Sequence, residues 1–172
     1  MKVRRVITGL NNAGRSAFLA DELLDAPALP GLGEVLTAWS ANQPATYPGD
    51  CTDPRAPGFF PPVGGVRVLI ASQPPDGSED THTEAHHSAE DHGSAVDVAD
   101  LMEADNPGMH VSDTTDFIVV LSGETTLELD NGAELVLKAG DTLVQNGVRH
   151  RWRNHSDKPM VMAIVMVGAN RT

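Results

Sequence analysis

The chain has 172 residues, with 24 Asp and Glu against 12 Lys and Arg, seven His and one Cys. That length is one domain by size and buries a core without disulfide staples, while a formal charge of −12 repels phosphate backbones and speaks against nucleic acid as a partner. Cys51 has no second cysteine to pair with, which favours a reducing cytoplasm; no stretch approaches a membrane span, and the basic start Met1 to Arg5 runs into Gly9, Asn11, Asn12 and Gly14 instead of the apolar core of a secretion signal.

In chain order, Val3 to Thr8 is β-branched and reads as a strand. Asn11-Asn12-Ala13-Gly14 is a turn signal, and Arg15 to Ala20 reads as the returning strand. This N-terminal hairpin can extend a sheet or pair with a second subunit, since its edges need covering; a homodimer is therefore expected. Asp21 to Gly33, with Pro27 and Pro30, reads as loop. Glu34 to Ser40 reads as a strand covered on both sides, with Val35, Thr37 and Trp39 on one face and Leu36 and Ala38 on the other. Gln43 to Gly65 holds Pro44, Pro48, Pro54, Pro57, Pro61 and Pro62, which rules against regular structure. Its Phe59 and Phe60 either cover the mouth of a barrel or cap a core; the second is favoured, because long loops are only sometimes functional. Val66 to Ser72 is a clear strand, ended by Gln73-Pro74-Pro75-Asp76-Gly77.

Ser78 to Asp105 is the one helical stretch, with Val98, Leu101 and Met102 at helical spacing before Asn106-Pro107-Gly108 stops it. His82 and His86 are four apart and share a helix face, with His87 and His92 nearby. A solvated polar helix is favoured over a metal site, since no carboxylate-histidine motif of a zinc enzyme is present.

From Met109 onward, short alternating runs separated by tight turns predict antiparallel strands: Asp116 to Leu121, Thr125 to Asp130 and Ala133 to Lys138 across Asp130-Asn131-Gly132, Thr142 to Gln145, His150 to His155, and Pro159 to Val167. The last is apolar on both faces and is expected to be central or covered. Alternation places His110, Ser112, Thr114 and Asp116 on the side of Ile118 and Val120, and groups His150, Trp152 and Asn154 against Arg149, Arg151 and Arg153. Histidines and one carboxylate near strand starts suggest a small β-barrel with a polar site inside. Two histidines and a carboxylate can occupy one face of a metal and leave positions open. Cys51 has no histidine near it in sequence, and neither a Gly-x-Ser-x-Gly elbow nor a phosphate loop is present.

This last third resembles a cupin. His110, Asp116 and Gly123 fall in register with the first cupin motif, and Gly140, Asp141, Gly147, His150 and Asn154 with the second. Ser112 stands where the motif has a second histidine, and Gln145 where it has a proline. The N-terminal half resembles the start of some small bacterial single-domain cupins. The resemblance implies an all-β fold, a double-stranded β-helix or jelly-roll barrel, with the N-terminal hairpin as an extension and one short helix. It implies a single cupin domain over 1–172: N-terminal strands and proline-rich loop to 65, then barrel from 66 with a helical excursion near 79–104. It implies a divalent metal (Zn, Fe, Mn or Ni) on His110, Asp116 and His150, or a site that has lost metal and keeps His110 and His150 as a catalytic base pair. Ser112, Thr114, Trp152 and Asn154 would line the substrate. The expected activity is that of a small-molecule lyase, isomerase or dioxygenase acting on an oxygen-rich organic acid, keto compound or phenolic. The alternative is a non-catalytic cupin that binds a small ligand.

Overall fold

The computed structural model describes residues 1–29, 32–47, 58–78 and 102–172. Eleven strands are present among them: β1 Lys2–Leu10, β2 Ser16–Asp25, β3 Ala28–Leu29, β4 Gly33–Ala41, β5 Val66–Gln73, β6 Thr114–Ser122, β7 Glu124–Glu128, β8 Glu134–Lys138, β9 Thr142–Asn146, β10 Arg151–Arg153 and β11 Met160–Gly168. A six-stranded antiparallel sheet runs β3-β4-β5-β11-β6-β9, and a three-stranded sheet runs β10-β7-β8. Their inner faces enclose a core of Val35, Leu69, Ala71, Ile118, Met160, Met162 and Met166, onto which Phe59, Phe60 and Trp152 pack. This is the expected jelly-roll barrel. β11, apolar throughout, lies between β5 and β6, so both its edges are paired. The only regular helix among the described residues is the 3-10 turn Asp130–Gly132.

Two glycines let the chain cross between sheets. Gly123, at φ 73° between β6 and β7, has the Met160 Cα and Pro159 O only 2.9 Å from where a Cβ would sit. Gly147, at φ 57° after β9, passes equally close to the Ser112 carbonyl. Any side chain there would strain the backbone and meet main-chain atoms that cannot swing aside.

Three expectations change. The supposed loop from Asp21 is strand as far as Asp25, and β3 follows it. β1 templates this extension by pairing Lys2 with Asp25 and Val6 with Asp21, and the ion pairs Lys2–Asp25, Arg4–Asp21 and Arg5–Glu22 line it. The hairpin forms a two-stranded sheet of its own; the strands that extend the barrel sheet are β4 and, at its edge, β3. In β4, Ala38 is an extra residue between Thr37 and Trp39, so inward parity passes from Val35 to Ser40, and Trp39 lands opposite Val68 on the other face. His82, His86, His87, His92, Cys51 and most of the expected helix lie outside the described residues. At its far end, Ala104 and Asp105 are in a turn. Among the described residues no helix is long and apolar enough to cross a membrane.

Candidate functional site

Backbone pairing builds the site. His110 and His150 exchange two main-chain hydrogen bonds, each N–H donating to the other's carbonyl at 3.0 Å, in an isolated antiparallel bridge. Residues paired in this way project their side chains to the same side, and the two imidazole centroids stand 4.3 Å apart. Each ring is held by the carbonyl two residues before it. His110 Nδ1 donates to Gly108 O at 3.0 Å, and His150 Nδ1 donates to Val148 O at 2.9 Å. With the proton committed to Nδ1, Nε2 of each neutral ring carries the lone pair.

Asp116 comes from β6, on the inner face between Met166 of β11 and Gln145 of β9. The Gln145 amide is spent on Val148 O at 3.3 Å, and the Met166 thioether is at best a weak acceptor. Among the described residues the buried Oδ1 of Asp116 has no hydrogen-bond partner. Burial pushes this carboxyl up from its ordinary range, against the opposing hydrogen bond from Thr114. Burial likewise pushes His110 down, and it lowers His150 to about 4 with the help of the neighbouring His110. All three groups thus lean to their uncharged forms, as desolvation dictates.

A cavity of about 130 Å³ opens onto these groups. His110, His150, Asp116, Ser112 and Trp152 line it, with Phe59, Phe60 and a run of methionines. Thr114 is buried off the cavity, its hydroxyl 2.8 Å from that of Ser112. Asn154 is also off the wall. β10 ends at Arg153, and the fully buried Asn154 amide ties the following turn: Nδ2 donates to Gln73 O at 3.0 Å and Lys158 O at 2.9 Å, and Oδ1 accepts from Ser156. The arginines of the opposite parity engage carboxylates: Arg149 with Glu103 and Asp130, Arg151 with Glu128, and Arg153 with Asp76.

The donor types suit a divalent ion, since Nδ1 anchoring to carbonyls is the usual support for a ligating imidazole. Their grouping does not. Among the described residues no three His, Cys, Asp or Glu come together closely enough to hold one ion; the two imidazoles converge, and the Asp116 carboxylate stays apart from them. The sequence reading did not single out Met160, Met162 and Met166 as cavity lining. Their shared parity with Ile164 along β11 is the signal, but which parity faces inward follows only from the pairing of Ile164 with Leu69 and Ile118 and of Met162 with Ala71 and Val120 on the neighbouring strands.

Residues 99–167 match the family model of the cupin domain. The chain is 42% identical over 64 residues to phomopsin biosynthesis cluster protein C' of Diaporthe leptostromiformis, covering 37% of this chain and 34% of that one. It is 38% identical over 72 residues to oryzines biosynthesis cluster protein J of Aspergillus oryzae, covering 42% of this chain and 40% of that one. The chain thus spans well under half the length of the curated relatives it matches. Among solved structures it is similar to a Cupin 2 conserved barrel domain protein from Salinispora arenicola, with 16% identity, a TM-score of 0.47, and coverage of 84% of this chain and 82% of that one. Residues 99–167 thus match a cupin domain, and the jelly-roll barrel that carries the cavity is the fold such a match implies.

Proposed function

We propose that this chain is a small-molecule cupin enzyme whose His110–His150 pair handles a proton on or next to an oxygen-bearing group of a substrate held in the cavity. The observation that carries the reading is the double clamp: both Nδ1 atoms are bound to backbone carbonyls, so both Nε2 atoms are oriented acceptors in one cavity. A neutral imidazole whose Nε2 lone pair faces a bound substrate can take up a proton as general base, although the burial that lowers His150 to about 4 weakens it in that role; lyase or isomerase chemistry on a keto or phenolic compound needs such a base. The names of the two fungal relatives, both biosynthesis cluster proteins, support a role in making or tailoring a small organic molecule.

Metal dependence belongs to the same proposal as its open branch. His110, Asp116 and His150 would hold a divalent ion only if the Asp116 side chain moved toward the two Nε2 atoms, and dioxygenase chemistry falls within that branch. The binding-module alternative draws on Ser112, a hydroxyl where the cupin motif has a histidine. Elemental analysis of protein purified without chelator, on the parent and on His150→Ala, tests the metal branch. With a metal, His150→Ala loses both ion and turnover, while His92→Ala keeps both. Without one, His150→Ala loses turnover alone. A His150→Ala protein that folds and keeps full metal content, ligand binding and turnover refutes the assignment of these histidines.

A further inference from the structure

The cavity changes polarity along the strands. Asp116 and the two histidines lie where β6 begins. Two residues further along, the inner face is Leu69, Ile164 and Ile118 side by side, and two residues beyond that Met162 stands between Ala71 and Val120. Phe60 closes onto this apolar part. No Lys or Arg is among the described lining residues, and outside the described residues the sequence holds only one, Arg55. Without a bound metal ion, an anionic ligand would therefore lose its hydration with no Lys or Arg of the described lining to replace it. The volume of about 130 Å³ is close to the roughly 150 Å³ of an apolar cavity known to take benzene. It suits one ring with a small substituent. Methionine walls adapt to such rings and make favourable sulfur–aromatic contacts.

Building on the small-molecule reading above, we propose that the ligand is a neutral single-ring phenol. Its hydroxyl donates to Nε2 of His110 or His150, its ring lies among Ile118, Met162, Ile164 and Phe60, and carboxylate-bearing acids are rejected. This narrows the expected range of organic acids, keto compounds and phenolics to the phenolics. The test is titration of the full chain, labelled at its methionine methyl groups, with 4-methylphenol, toluene and 4-hydroxybenzoate, followed by NMR. 4-Methylphenol is expected to shift Met160, Met162 and Met166 saturably. Toluene should bind at least about tenfold more weakly, the worth of one hydrogen bond, and 4-hydroxybenzoate should not bind. The parent's own ligand series decides the question; His150→Asn, if it folds, should bring 4-methylphenol down toward the affinity of toluene. Toluene binding as tightly as 4-methylphenol, or 4-hydroxybenzoate binding as tightly or more so, overturns the phenol assignment and leaves the cavity a ligand site. No shift with any of the three overturns the small-molecule reading as well.

Discussion

Replacing Asn154 separates a structural amide from a substrate contact. The side chain is fully buried, and its amide group donates to Gln73 O and Lys158 O and accepts from the Ser156 N–H and hydroxyl. Asn154→Ala strips the carbonyls of Gln73 and Lys158 of their amide donor and leaves the Ser156 N–H without its acceptor. The Ser156 hydroxyl, already 2.9 Å from Lys158 O, can serve that carbonyl alone. The remaining two groups cost about 1–3 kcal/mol each if they stay dry, so a loss of about 3 kcal/mol is expected. With a urea m-value of about 2 kcal/mol/M for a domain of this size, the unfolding midpoint should fall by about 1.5 M. Ligand affinity measured well below that midpoint should be unchanged, because Asn154 does not line the cavity. A midpoint within about 0.3 M of the parent, or a tenfold weaker ligand in a protein of unchanged stability, would refute the reasoning.

Acid should destabilise the fold through the imidazoles. Burial lowers His150 to about 4 in the folded chain, so the unfolded chain takes up this proton first as pH falls through its ordinary value near 6.5, and stability rises with pH across that window. The expected cost is about 2 kcal/mol between pH 7 and pH 5 from His150, with His110 adding in the same direction. The raised Asp116 works oppositely: its contribution is fully present below the ordinary carboxyl value and is lost as pH rises through its raised value in the folded chain. Urea titrations of the parent and His150→Asn check this, and equal pH slopes for the two would contradict it. Gly123→Ala should lose about 2–4 kcal/mol, since it adds a side chain at positive φ against the backbone of Met160; thermal melting within 2 °C of the parent would count against the turn assignment. Light scattering at micromolar concentration should give twice the 18.2 kDa chain mass, because the β1–β2 sheet leaves strand edges unpaired among the described residues and Phe18 is 79% exposed. A strictly monomeric mass would remove that expectation.

Much of the barrel was legible because strand parity is local. A trans backbone in extended conformation alternates its side chains whatever surrounds it, so the inward set His110, Ser112 and Asp116 could be read from spacing alone. The Asn-Gly and single-glycine turns could be read for the same kind of reason, since Asn131, Gly132, Gly123 and Gly147 all adopt the positive φ that their residue types permit. Other features depend on residues far away in the chain. The extra Ala38 in β4 exists only in its pairing with β5, and it reversed the face that alternation assigned to Trp39. Asn154 shares parity with His150, yet its amide is drawn into the turn by the carbonyls of Gln73 and Lys158, the first 81 residues earlier. The imidazole pair is set by one backbone bridge between segments 40 residues apart. The separation of Asp116 from that pair depends on where β6 sits against β9 and β11. Local alternation thus determined which side chains face inward; long-range register decided which of them meet.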